Sequence, residues 1–201
     1  MYLQKIYNRR GCRKLIIVRL RRFVFFVVFI FKMDGFASHH VYFGGAGFSC
    51  AYYIGVVKAL RELHPNQQPY IHADSAGTMV ALGYALNVPC KVIEQVYYDS
   101  LTRQSRRSNR IWGGAISNDH NFIINTFLKV GTFELIRGNS KFTVGVCSFF
   151  NRYNTYTNWE TMGDVATSIH KSMTIPFLTR TRYSFEIDGA FANQNQYDLS
   201  I

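Results

Sequence analysis

The stretch from Ala73 to Gly77 carries a residue type suited to nucleophilic chemistry, a serine between small side chains. Ser75 follows a short β-prone run and precedes a helix-forming one, so it falls on a strand-to-helix turn. Such a turn exposes the hydroxyl when the residues two before and two after it are small. Ala73 and Gly77 meet that condition, although a serine that caps a buried helix gives the same pattern. The turn predicts a nucleophile only if other parts of the chain supply its partners.

A glycine turn at residues 44–47 offers backbone hydrogen-bond donors ahead of the serine. The pattern predicts a strand at residues 41–43 and a helix at residues 50–63, which Ser49 is expected to cap or begin. Glycines and a helix N-terminus bring N–H groups to one point, as an anion or an oxyanion requires. A phosphate-binding loop is disfavoured because no Gly-Lys-Ser/Thr ending follows. Cys50 also stands where a dinucleotide fingerprint has its last glycine.

A proton acceptor for the serine is the third requirement. A hydrolase triad runs serine, acid, histidine along the chain, but none of the six histidines follows Asp188. His120 and His170 would serve only in another order, and both are expected to be surface or helix-face side chains. Asp188 ends a β-prone run and precedes Gly189, which suits a site residue and equally an ordinary turn.

The remaining pattern supplies the elements that position these residues. Residues 70–73 predict a second strand, and residues 78–86 predict a helix that is apolar nearly all round and therefore buried. The two strand–turn–helix units should lie parallel in an α/β sandwich. Further helices are predicted at 91–107, 118–130 and 164–173, strands at 141–150 and 153–157 as a hairpin, and a last strand at 183–187.

The net charge of +11 is unevenly distributed. Residues 1–32 hold nine Lys/Arg and no acid, whereas the remaining chain holds 14 Lys/Arg against 12 Asp/Glu. The basic character therefore belongs to the N-terminal part, and a nucleic-acid partner is not expected. Four scattered cysteines without metal-ligand spacing fit small buried side chains in a reducing compartment.

Residues 1–33 are expected to be an extension ahead of a single domain at 34–201. The apolar run at residues 23–31 is too short for a spanning helix, which needs about 20 residues. Three interpretations remain open. The extension is a signal peptide, a basic membrane-surface anchor, or a segment absent from a protein that starts at Met33.

Taken in order, these motifs resemble the patatin-like phospholipase and acylglycerol lipase family. Residues 44–48 match its glycine-rich oxyanion loop, and residues 73–77 match its nucleophile elbow. Residues 188–190 match its Asp-Gly-Ala/Gly motif, and residues 166–177 resemble the segment before that motif. The run at 42–56 is closer to the animal triglyceride-lipase branch. The resemblance covers about residues 41–195.

The resemblance implies a three-layer α/β/α sandwich with a mainly parallel central sheet. It implies a catalytic dyad of Ser75 and Asp188 that uses no histidine, no metal and no cofactor. The substrate would be a lipid ester at a membrane or lipid-droplet surface, and the protein would be cytoplasmic and peripheral to membranes. The other roles implied are an oxyanion hole at Gly45, Ala46 and Gly47, an elbow flanked by Ala73 and Gly77, and an acid turn completed by Gly189 and Ala190.

Two positions and the C-terminal segment depart from the family pattern. Ala73 replaces the first glycine of the elbow, and Cys50 replaces the last glycine of the loop motif. The chain ends 13 residues after Asp188, which leaves little room for the further helices that many relatives carry. Phe48 stands where the plant and bacterial branch commonly has a basic residue. The alternative to an enzyme is therefore a catalytically degenerate patatin-like protein that binds lipid or a membrane.

Overall fold

The chain forms an α/β fold in the computed structural model, which describes residues 2–6, 14–19, 25–32, 39–65, 68–106, 115–148, 153–174 and 186–187. The predicted acid turn at 188–190 lies outside these ranges. The strands are β1 (Tyr2–Ile6), β2 (Lys14–Arg19), β3 (Phe25–Lys32), β4 (His39–Phe43), β5 (Tyr70–Asp74), β6 (Phe142–Ser148), β7 (Tyr153–Tyr156) and β8 (Glu186–Ile187). The helices are α1 (Tyr52–Leu63), α2 (Gly77–Ala85), α3 (Cys90–Arg106), α4 (Ala115–Val130) and α5 (Met162–Ser172).

The strands form one open sheet in the order β1 to β7, with β8 pairing to β6. The pairs β4–β5 and β5–β6 are parallel, so the two predicted strand–turn–helix units do lie parallel. β7 and β8 run antiparallel to β6, which confirms the predicted hairpin of β6 and β7. The four strands β4 to β7 are thus a mostly parallel sheet.

The N-terminal strands were not predicted. β1, β2 and β3 form an antiparallel meander that joins the sheet through β4. Residues 14–19 are apolar between two basic ends, and residues 25–31 are a continuous apolar run, both of which are typical of strands. Whether residues 1–33 serve as a leader or an anchor stays a prediction. Among the residues described, no helix is long and apolar enough to cross a membrane.

The helices α1 to α4 lie on one face of the sheet. The chain moves across the sheet in one direction from β4 to β5 and from β5 to β6. Because both connections are expected to be right-handed, α1 in the first and α2 to α4 in the second lie on the same side of the sheet. Val41 and Phe43 of β4 and Ile71 and Ala73 of β5 are buried beneath them. The Phe43 ring makes edge contacts with aromatic rings of α1 and α2.

α2 is the central helix of this layer. All its residues from Gly77 to Ala85 are buried, which confirms the predicted buried helix. It packs against β4, β5 and β6 and against α1 and α4. α5 begins at a capping box in which the Thr161 and Asp164 side chains each bond the other's backbone N–H, and it packs on β6, α2 and α4. The start of α2 and the end of α5 both lie close to Ser75.

The opposite face of the central strands is polar. Because side chains alternate along a strand, His40 and Tyr42 of β4 share this face with Tyr70, His72 and Asp74 of β5. The helices whose sheet contacts are described lie on the other face. A second helical layer, as the predicted three-layer sandwich requires, is therefore not seen in the described part of the chain.

Candidate active site

The turn after β5 is sharp, as a nucleophile elbow requires. β5 ends at Asp74, α2 begins at Gly77, and Ser75 between them has a φ of 52°. A left-handed conformation costs a non-glycine residue about 1–2 kcal/mol, so it persists only where the surroundings hold it. Ala73 is buried on the helical face within β5. The alanine in the first elbow position therefore does not prevent the sharp turn.

The serine turn and the glycine turn are in direct contact. A Cβ atom on Gly77 would lie 2.4 Å from the carbonyl oxygen of Gly44 and 2.5 Å from that of Phe43. Only glycine allows backbones to approach this closely. The last elbow position thus needs glycine for packing, and the carboxyl ends of β4 and β5 bring both predicted motifs to one edge of the sheet.

The glycine turn leads into a 3-10 turn at Gly47–Ala51 before α1 begins. Gly47 has a φ of 52°, and both Gly45 and Gly47 are exposed. Ala46 accepts a hydrogen bond from the N–H of Ser49 at 3.0 Å, and Tyr53 donates its hydroxyl to the carbonyl of Gly44 at 3.1 Å. The loop is therefore held through its carbonyl groups.

The prediction that Ser49 caps or begins the helix is wrong. The N-cap of α1 is Ala51, and no side chain caps it. The 3-10 turn explains the difference, because its backbone bonds satisfy N–H groups that a capping side chain would otherwise bond.

The backbone of Ser75 is bonded on both sides. Its N–H donates to the hydroxyl of Ser172 at 2.8 Å, and that hydroxyl donates to the carbonyl of Gly145 at 2.6 Å. The carbonyl of Ser75 accepts from the N–H of Thr78 at 3.0 Å and from its hydroxyl at 2.5 Å. The start of α2, with the positive end of its dipole, thus lies beside the serine.

Asp188, Gly189 and Ala190 lie outside the described residues, but the strand before them is informative. β8 pairs antiparallel with β6, with Ile187 opposite Cys147. β7 occupies the other edge of β6 at that residue, so β8 lies on the edge that β5 vacates after Asp74. β8 runs from the level of Ser148 towards that of Gly145, which is the partner of Asp74. The strand that leads to Asp188 is therefore directed towards the serine turn.

A buried carboxylate beside Ser75 was missed in the sequence. Asp74 is 2% exposed and accepts hydrogen bonds from the hydroxyls of Tyr42 and Tyr153, the latter at 2.8 Å. Gly145 leaves room for this group, since a Cβ there would lie 2.0 Å from the Asp74 carboxylate. The sequence signal that could have identified Asp74 as a strand residue is the polar side chain at every second position of residues 70–74, on the face opposite Ala73.

Two histidines of the polar face bond to each other. His40 Nδ1 lies 3.3 Å from His72 Nε2. The ring centroids are 5.6 Å apart and the planes differ by 9°, so the two nitrogens point almost directly at each other. Burial, with a smaller contribution from His40, lowers the pKa of His72 to about 4, and burial lowers that of His40. One ring can donate an N–H to the other, and the lowered pKa of each ring favours its uncharged form.

His120 was expected at the surface or on a helix face, and the structure places it on α4 in a half-buried position. Burial lowers its pKa to about 4, and His170 of α5 contributes. Because α4 and α5 pack together, this pair is part of a helix interface. The expectation that His120 is a surface or helix-face side chain is therefore met by its position on α4.

Cys50 points into the core and not towards the glycine turn. Its thiol is buried 3.8 Å from the Tyr97 hydroxyl, and burial raises its pKa to about 11. Cys147 is also buried and Cys90 is half-buried, so the expectation of buried cysteines holds for two of the three described. Within the described ranges, no three His, Cys, Asp or Glu side chains are grouped so as to hold a metal ion.

Comparison with known proteins assigns no family to the chain. No protein-family model matches it, and a search of curated proteins finds no significant match. A functional proposal therefore rests on the geometry of the two turns and the strands behind them, together with the sequence motifs.

Proposed function

We propose that the chain is a serine acyl-hydrolase that cleaves fatty acyl esters of phospholipids or acylglycerols. The observation that carries this proposal is the positive φ of Ser75 on a strand-to-helix turn packed against a glycine turn. A nucleophile has to be held in place, and an oxyanion needs donors beside it. Both features meet at the carboxyl edge of β4 and β5, where α/β folds place their sites.

In the proposed reaction, Ser75 attacks the ester carbonyl carbon and its proton passes to Asp188. Backbone N–H groups of Gly45, Ala46 and Gly47 bind the oxyanion, and the dipole of α2 favours the same negative charge. The tetrahedral intermediate collapses to an acyl-serine and expels the alcohol, which takes the proton. A water molecule then releases the fatty acid by the reverse sequence of proton transfers.

A carboxylate base is preferred to a histidine base because of where the described side chains and strands lie. Of the described histidines, His40 and His72 bond each other on the polar face, and His120 interacts with His170 between α4 and α5. β8, in contrast, is directed towards the serine turn and immediately precedes Asp188.

The resemblance to patatin-like lipases supplies the substrate class. From the same resemblance we propose a lipid surface as the partner, a cytoplasmic location peripheral to membranes and a three-layer sandwich. The third layer would have to cover the polar face that carries Tyr70 and His72. No metal or cofactor takes part in the proposed reaction, and no role is proposed for nucleic acid.

The test combines covalent labelling with product release. A fluorophosphonate probe should label the wild-type chain, and fatty acid should be released from mixed phospholipid and triacylglycerol emulsions. Ser75→Ala should abolish both, and Asp188→Asn should lower both by a factor of roughly 10³ or more. Ser168→Ala, which removes another buried serine hydroxyl, is the matched control. Labelling that persists in Ser75→Ala would refute the assignment.

A catalytically degenerate lipid-binding protein is the second candidate, and the burial of Ser75 favours it. Ser75 is 6% exposed, so a substrate carbonyl has little access to the hydroxyl unless neighbouring groups move. Vesicle sedimentation separates the two candidates. Binding to phospholipid vesicles without probe labelling or fatty acid release would support the degenerate protein.

A further inference from the structure

The bond pattern between β5 and β6 sets an expectation for Ser75. In a parallel pair, the interstrand bonds are evenly spaced along the strands. The N–H of Ile71 donates to the carbonyl of Lys141 at 2.7 Å. The bonds on this side of β5 repeat at every second residue. Ser75 lies four residues after Ile71, and Gly145 lies four residues after Lys141. The regular acceptor for the N–H of Ser75 is therefore the carbonyl of Gly145.

Ser172 occupies the place of that bond. Its hydroxyl accepts from the N–H of Ser75 at 2.8 Å and donates to the carbonyl of Gly145 at 2.6 Å. The residue is fully buried at the end of α5. One hydroxyl thus satisfies both the donor and the acceptor of a sheet bond that the strands do not make directly.

The Ser172 hydroxyl lies where the strand that pairs with one edge of β6 changes from β5 to β8. Up to Gly145, β6 pairs with β5, and at Cys147 the same edge pairs with β8. A direct hydrogen bond from the N–H of Ser75 to the carbonyl of Gly145 would extend the pairing of β5 with β6 by one more interstrand bond, called a rung of the sheet below. The separated strands leave Ser75 free to turn into α2 and leave the edge open for β8.

We propose that Ser172 is a positioning residue that holds the nucleophile turn open by replacing one rung of the sheet. The inference rests on the proposed function for its catalytic consequence. Ser172 does not contact the reacting atoms; it fixes the backbone of the residue that does. Loss of its hydroxyl allows the rung to close, or leaves the Ser75 N–H and the Gly145 carbonyl without this bridge, and in both cases the hydroxyl of Ser75 is displaced.

The experiment compares Ser172→Thr with Ser172→Val. Threonine and valine have almost the same shape, but only threonine keeps the hydroxyl. Both are larger than serine, so any overpacking around residue 172 is common to the two variants. We expect Ser172→Val to lower kcat and the rate constant of fluorophosphonate labelling by about 10–100-fold relative to Ser172→Thr, because a misplacement of about 1 Å costs that much. KM should agree within about twofold, since the substrate contacts are unchanged. Equal kcat and labelling rates in the two variants would overturn the proposal.

Amide hydrogen exchange at Ser75, followed by NMR, provides a readout that needs no activity. The rate should rise at least about tenfold in Ser172→Val relative to Ser172→Thr, while the amide of Ile71 exchanges alike in both. If the wild type is not labelled, the proposed function fails and the exchange rates alone decide the role of Ser172. Exchange that is the same in both variants rejects that role. Ser168→Ala, one turn earlier on α5, is the control for general loosening of the helix.

Discussion

The two strand–turn–helix units, β4 with α1 and β5 with α2, reverse the chain by different means. In the first unit the left-handed residue is Gly47, which is exposed, and a Cβ atom added to it would meet no other atom within 4 Å. In the second it is Ser75, which is buried and bonded through both its N–H and its carbonyl group. α1 buries one side, whereas α2 is buried all round.

This difference separates two ways of building a sharp turn. Glycine reaches a positive φ at little cost, so the left-handed conformation of Gly47 does not require packing around it. A serine reaches it only where packing and hydrogen bonds over-determine the backbone. The proposed nucleophile thus lies in the turn that packing and hydrogen bonds hold, and the proposed oxyanion donors lie in the turn whose left-handed residue is a glycine.

The largest expected effect comes from the contact between the units. Gly77→Ala places a methyl group against the carbonyl oxygens of Gly44 and Phe43, and backbone cannot move aside as a side chain can. We expect a loss of about 3 kcal/mol in the free energy of unfolding, measured by urea denaturation. Gly55→Ala is the control, because it lies in open space within α1 and should gain about 0.5–1 kcal/mol. Wild-type stability of Gly77→Ala would mean that the units do not touch.

Acid should weaken the bond that joins the units on the polar face. The pKa of His72 is lowered to about 4 in the folded chain. A group whose folded pKa lies below its unfolded value binds fewer protons when folded, so its contribution is complete above about pH 6.5 and is lost as the pH falls towards 4. At pH 5 the loss from this residue is roughly 2 kcal/mol relative to pH 7.

His72→Gln tests this assignment, because glutamine does not titrate. The difference in unfolding free energy between pH 7 and pH 5 should be smaller in His72→Gln than in the wild type. His40, Tyr70, Tyr42 and Asp74 share the face and remain in the variant. An undiminished pH dependence in His72→Gln would show that the His40–His72 bond does not link stability to protonation.

The smallest effect is expected in the glycine turn itself. Gly47→Ala forces an alanine to a φ of 52° but meets no atom, so the cost is conformational and about 1 kcal/mol. Gly47→Asn should cost less, because asparagine tolerates the left-handed region better. Thermal unfolding measures both variants. Equal losses in the two would point to a steric cause and would remove the contrast with Ser75.

The sequence predicted the units but not the contacts between them. Strand and helix periodicity placed β4, β5 and α2, and the small residues at 73 and 77 predicted the turn around Ser75. The bridge from Ser172 was not predicted, because it joins residues 97 positions apart and depends on where α5 ends against β6. Asp74 was likewise seen only as part of a turn, because its partners Tyr42 and Tyr153 come from two other strands.

The change of partner along β6 has a consequence for the order of folding. The Ser75 turn is synthesised early. The N–H of Ser75 can bond to Ser172 only after another 97 residues have been synthesised. β8 comes later still, and it docks on an edge that has to be kept vacant until then. Contacts of this sequence separation form slowly, since long loops must close first. A nascent chain therefore carries its serine and glycine turns for some time before the edge beside them is occupied.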